Sequence, residues 1–275
     1  MMNTSDRRSR SVMFGAVMSL YILVFIATAL SAQVPVRHQE GLVHGFLALR
    51  TLQGETLADG DLIQNVRGDR VTSRLVFHFK DGSLHDEVAI FSQRGQFRLL
   101  SDHLIQKGPA FPHPIDFTIN GRTGEVTARY QEDGKEKTDT KQLHLPPDVA
   151  NEVLLTLLKN VSPGATQTNV AYVAPNSKPR LVKLVITPHG EEQFSTAGAH
   201  RNAMHYVVKV DIGGLTGAFA ELLGKQPADI HIWILEGEAP AFVKSEGPLA
   251  FGGPVWRIEL VSPVWPSTAD SESKK

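Results

Sequence analysis

Between Arg74 and Phe91 the chain alternates apolar and polar positions with a period of two. Leu75, Phe77 and Phe79 share one side, and His78 and Lys80 lie on the other with Val76. That spacing belongs to a strand with one buried face. Asp81-Gly82 then separates this run from a second, Leu84 to Phe91, in which Asp86 and Glu87 interrupt the alternation. An Asp-Gly pair between two such runs predicts a tight hairpin, because Gly reaches φ > 0 without a Cβ clash. The same rhythm recurs along most of the chain. The predicted fold is therefore mainly β: a strongly curved antiparallel sheet, a half-barrel-like meander, carrying two short helices.

The remaining elements follow from turn signals. Strands are predicted at 45–51, 62–67 and 96–102 around Gly54, Gly60, Gly68 and Gly95, after a linker from Val34 to Glu40. The prolines of Gly108 to Pro114 cannot donate to a ladder and mark a rigid surface connection. Alternation restarts at Ile115, Phe117 and Ile119 and returns through Val126, Ala128 and Tyr130 to a polar strand ending near Leu145. Pro147 to Lys159 reads as an amphipathic helix, with Val149, Ala150, Val153, Leu154, Leu157 and Leu158 on one stripe. Asp148 and Glu152 would complement its positive end. Further strands are predicted at 169–173, 180–186, 201–212, 230–235, 241–246 and 255–261, with a second helix carrying Leu215, Phe219 and Leu223.

The N-terminus changes the picture from fold to location. Arg7, Arg8 and Arg10 precede an apolar run, Val12 to Leu30, followed by small residues. This is a secretory signal peptide or, given its length, an uncleaved signal anchor. Either places the remainder outside the cytoplasm, periplasmic or extracellular, anchored to the inner membrane by residues 12–30 if uncut. The expected organisation is a signal over 1–32, one β-rich domain over 33–265 with a sub-boundary near 104–115, and a disordered Ser/Asp/Lys-rich tail over 266–275.

Composition narrows the chemistry. Net charge is −1 and there is no cysteine, which excludes disulfides and thiol chemistry and gives no field toward nucleic acid. The 11 histidines show no metal-ligand spacing; His78, His85 and His103, or His200 and His205, could meet only through strand pairing. Asp86/Glu87 and Glu191/Glu192 read as solvated charges, since adjacent strand residues face opposite sides. Gly213 to Gly217 reads as a turn rather than a phosphate cradle, and Ser271 to Lys274 lies in the tail. No catalytic or metal constellation and no cofactor is expected.

The last strands are apolar on both faces: Ile230, Ile232 and Ile234 on one, Trp233 and Leu235 on the other, with Trp256, Ile258 and Leu260 beyond. Such a sheet is covered on both sides or lines a cavity. Phe77, Phe79, Phe97, Tyr206, Trp233 and Trp256 are the candidate ligand-lining residues. Ile232 to Leu235, the turn Gly237 to Pro240, Ala241 to Glu246 and Trp256 to Leu260 resemble the closing strands of periplasmic lipoprotein-carrier-like proteins and related exported families. The resemblance implies a curved half-barrel with helices on its concave side and binding of acyl chains. The expected function is non-enzymatic binding of an apolar or lipid-like ligand or an envelope partner. The alternatives are an envelope assembly module and a hydrolase using His78, His85 or His103.

Overall fold

A computed structural model describes residues 34–162, 164–196, 199–211 and 227–261, within one compact unit, Ser31–Lys275. The signal segment, the helix expected around Leu215 to Leu223, the Gly213 to Gly217 turn and the C-terminal tail lie outside the described residues.

The described chain is mainly β, as the alternation predicts. Eight strands come first: β1 (Val43–Arg50), β2 (Thr56–Arg67), β3 (Arg70–Phe79), β4 (Leu84–Ser92), β5 (Arg98–Lys107), β6 (Ile115–Asn120), β7 (Glu125–Glu132) and β8 (Lys135–Gln142). A 3-10 turn, Asn151–Val153, runs into one short helix, α1 (Leu154–Leu158). Six strands follow: β9 (Thr168–Ala174), β10 (Arg180–Thr196), β11 (Ala199–Asp211), β12 (Ile230–Leu235), β13 (Ala241–Pro248) and β14 (Val255–Leu260). All form a single antiparallel sheet in the order β8-β7-β6-β5-β4-β3-β2-β1-β14-β13-β12-β11-β10-β9. Two meanders, β1–β8 and β9–β14, are thus joined where β1 pairs β14, with Leu47 opposite Leu260 and Leu49 opposite Ile258. The sheet is not closed; β8 and β9 are its edges.

Side-chain parity gives the sheet one apolar concave side. Phe77, Phe91, Phe117, Ile119, Leu184, Ile186, Ile232 and Ile234 are all essentially buried there, in one cluster that includes Val153, Leu157 and Leu158 from the helical turn. The β3–β4 hairpin is the predicted one. Phe79 N–H donates to Ser83 O (3.0 Å), Gly82 N–H to Phe79 O (3.1 Å), and Gly82 takes φ 83°. Gly60 on β2 has a packing reason instead: a Cβ there would overlap the Phe77 ring and lie 2.7 Å from the Val76 carbonyl. The prolines of the β5–β6 connection sit outside the ladder, which resumes with Gln106 opposite Ile115.

Two expectations need correction. The helix predicted over 147–159 is shorter, because Val149 bridges Ala171 of β9 and Ala150 N–H donates to Ala171 O (2.8 Å). Asn151 continues this pairing with its side chain. Its Nδ2 donates to Val173 O (3.1 Å) and its Oδ1 accepts from Val173 N–H (3.0 Å), at a backbone φ of 30°. An open sheet edge leaves backbone groups that demand partners, and here that demand outweighs helix propensity. Residues Val34–Glu40 are not a free linker. Val36 N–H donates to Gly95 O, both Arg37 N–H and His38 N–H donate to Asn160 Oδ1 (2.8 and 2.7 Å), and Glu40 Oε1 lies 2.5 Å from Lys159 Nζ. This strap ties the β4–β5 turn to the end of α1.

Candidate functional site

The concave side holds a partly open cavity of about 210 Å³. Its wall is mostly aliphatic, with Leu49, Leu75, Leu154, Leu184, Ile232 and Ile258 among its lining residues, and it carries two acids, Glu87 and Glu152, and one phenol, Tyr172. Lining residues come from both β4 and β9, which are nine strand spacings apart in the sheet order. On a flat sheet that is about 43 Å, at about 4.8 Å per strand. The sheet must therefore roll until its distant parts face each other.

Each acid reaches the interior by local geometry. Glu87 shares parity on β4 with His85, Ala89 and Phe91, while its neighbour Asp86 faces out and holds Arg74 through two 2.8 Å bonds. Asp102 of β5 lies opposite Ala89 and is 3 % exposed. Glu152 projects from the 3-10 turn toward β3, where its Oε1 accepts from Ser73 Oγ (3.1 Å). The reading of Glu87 as a solvated charge is thus corrected, whereas Glu152 does stand in the first turn, as expected, with its carboxyl turned inward.

His85 is 2 % exposed. Gln106 Nε2 donates to the Leu249 carbonyl (2.8 Å) and lies 3.1 Å from His85 Nδ1. The carbonyl fixes the amide's orientation, so Nδ1 must accept and the ring proton belongs on Nε2. That Nε2 has no hydrogen-bond partner and points at Glu87 Oε2, 3.7 Å away. Burial pushes His85 down to about 4, against the opposing pull of Asp86.

The acids titrate as a group. Burial, then the charges of Asp102 and Glu152, hold Glu87 well above the usual carboxylate range. Burial raises Asp102, partly offset by its hydrogen bond with Glu87. A bond between two carboxyls requires one of them to hold a proton, and the His103 backbone N–H also favours the charged form of Asp102. Glu152 is pushed up to about 8, first by burial and then by Asp102. Tyr172 is raised by burial and by the same three acids. No lysine or arginine among the described residues acts on the three carboxyls.

None of the six aromatic residues expected to line a ligand site lines this cavity. Phe77, Phe79, Phe97, Tyr206 and Trp256 do belong to the concave side, but as filling. Phe79 meets Phe111 and Trp256 at 5.3 and 5.5 Å between ring centres, and Phe97 meets Phe91 at 6.2 Å. Large rings occupy space themselves; the void forms where the facing side chains are aliphatic or small, including Ala174, Ser245 and Gly247. Trp233 lies on the opposite face, stacked on His205 at 4.3 Å, with its Nε1 donating to Glu192 Oε2 (2.8 Å) and Lys244 Nζ 3.9 Å from its ring.

The histidines are dispersed. His78 and His103 are exposed on the convex face, His103 against Asp116 Oδ1 (3.0 Å), while His85 is inside. His205 meets His231 (2.9 Å) and Glu192 (2.9 Å) rather than His200. The described residues hold no group of three or more His, Cys, Asp or Glu able to hold a metal ion.

No family profile matches the chain, and no curated protein matches it. Among solved structures, the chain is similar to the crystal structure of a beta-barrel-like protein of a domain of unknown function, DUF1849, from Brucella abortus. The two share 9 % identity at a TM-score of 0.44, over 83 % of this chain and 100 % of that one.

Proposed function

We propose that the protein is an exported, non-enzymatic binding protein that holds a small apolar molecule inside its rolled sheet. The observation that carries this reading is the cavity of about 210 Å³ walled by aliphatic side chains. An apolar void of about 150 Å³ accommodates benzene, and drug-sized sites run from about 300 Å³ upward. The size fits one ring or a short chain. It is too small for a whole lipid, so a lipoprotein-carrier-like role would have to use it for the tip of a chain. The export segment read from Arg7 to Leu30 supports the location.

The test is ligand-dependent stabilisation. At 100 times Kd a ligand of the native state adds about 2.7 kcal/mol, several degrees in melting temperature. Toluene should raise the melting temperature of the full chain, and Val182→Phe, which fills the cavity from β10, should abolish the rise. Native mass spectrometry of protein taken from envelope fractions should show a small bound mass. A protein that stays empty, and whose melting temperature ignores toluene, would remove the proposal.

A further inference from the structure

The cavity has a polar end that an apolar occupant alone would not use. Glu87 and Glu152 stand on its wall, with Asp102 adjoining Glu87. Side-chain donors there are few: Ser73 Oγ serves Glu152, and Asp102 has the Glu87 carboxyl and the His103 backbone N–H beside it. A non-acidic group also points at this network. His85, 2 % exposed, directs an unpartnered Nε2–H toward Glu87 at 3.7 Å, beyond bonding length. A buried donor without an acceptor costs free energy, and the acceptor this one points at is Glu87. The wall is too aliphatic, and the acids too poor in companion ligands, for a metal ion, which fits the lack of a metal-binding group among the described residues.

We infer that the ligand is a small apolar amine, its hydrocarbon part against Leu184, Ile232 and Ile258 and its ammonium against the wall carboxyls of Glu87 and Glu152. This rests on the interior-binding reading proposed above. An ammonium brings three donors and one positive charge to a place that has acceptors and no described cation. The titratable groups facing it are His85 and Glu87 from β4, Asp102 from β5, Glu152 from the 3-10 turn and Tyr172 from β9. Without a cation beside them, burial favours the protonated form of these carboxyls. Entry of an ammonium ionises at least one of them, and that proton leaves for solvent. Affinity for the amine therefore rises with pH from about 5 to 8. His85 and Tyr172 stay neutral across that window and do not contribute.

The experiment compares benzylamine, benzyl alcohol, benzoate and toluene by calorimetry on the full chain from pH 5 to 8, in buffers of different ionisation heat. Benzylamine should bind at least about tenfold more tightly than benzyl alcohol at pH 8. It should release protons on binding, and its advantage should shrink toward pH 5. Glu87→Gln and Glu152→Gln should each reduce that advantage while toluene still binds, which shows that the variants keep the cavity. Benzyl alcohol binding as tightly as the amine, or benzoate binding more tightly toward acid pH, would overturn the inference. Toluene binding without an amine preference overturns the inference alone, whereas failure of every probe removes the cavity reading as well.

Discussion

At the scale of single residues, the interior acids give this protein an unusual pH dependence. Glu87, Asp102 and Glu152 all have raised values in the folded state. Below the unfolded value, near 4, each is protonated whether folded or not, and the stabilising difference is intact. As pH rises, the unfolded chain ionises first while the folded chain keeps its protons. Stability then falls through a window that ends near 8 for Glu152. His85, lowered to about 4, has the opposite slope: its contribution is present above the free-imidazole value and is lost as pH falls toward 4. Between about 4 and 6.5 His85 and the interior acids therefore pull in opposite directions, and above that range the acids act without it. Glu152→Gln keeps an acceptor for Ser73 and removes one titration. The variant should melt above the wild type at pH 8, with the gap closing toward pH 5. A gap that is the same at every pH would show that Glu152 does not titrate in the window. These acids were hidden in the sequence for different reasons. Glu87 has inward parity with Ala89 and Phe91, but its charge beside Asp86 argues for solvent, which is the reading the structure corrects. Asp102 is three residues from inward-facing Leu99, and strict alternation would point it outward. A bulge between Ile90 and Phe91, opposite Ser101 and Leu99, resets the count. Bulges leave no signature in the hydrophobic pattern, and neither does a helical turn that aims Glu152 at a strand far away in the chain.

At the scale of elements, strand positions were legible because alternation and turn residues are local, whereas what the connecting segments do depends on distant partners. The polar stretch before β1 carries no periodicity, yet it becomes a strap because the β4–β5 turn and the end of α1 offer it Gly95 O and Asn160 Oδ1. Its anchor is the Glu40–Lys159 pair, with side chains 6 % and 14 % exposed. Removing one partner of a buried pair strands the other charge and costs about 3–5 kcal/mol, whereas replacing both is far milder. Lys159→Met should therefore destabilise the protein by an amount in that range in denaturant unfolding. Adding Glu40→Gln to it should recover most of the loss. If the two single substitutions simply add, the charges do not interact and the strap is held by its backbone bonds alone.

At the scale of the whole molecule, the arrangement of strands makes the two meanders depend on each other. The chain begins and ends its sheet in the middle, where β1 pairs β14, and its two edges, β8 and β9, are neighbours in sequence across α1. The cavity wall draws on both meanders, with Leu49, Leu75 and Glu87 from the first and Leu184, Ile232 and Ile258 from the second. Neither meander alone would bury its concave face, so the β1–β14 seam and the shared core should couple them into one cooperative unit. The residue distribution supplies a direct test. Tryptophan occurs only at 233, 256 and 265, all outside the first meander. Intrinsic fluorescence therefore reports the β9–β14 half together with the contact of Trp256 on Phe79 of β3, while far-ultraviolet circular dichroism reports strands of both. In urea the two signals should follow one superimposable transition. Ile258→Asp, which puts a charge into the seam opposite Leu49, should shift both midpoints down together. A dichroism change that begins while fluorescence is still native, in either protein, would mean that strands of the first meander open before the contact of Trp256 with Phe79 breaks, and the chain would not be one cooperative unit.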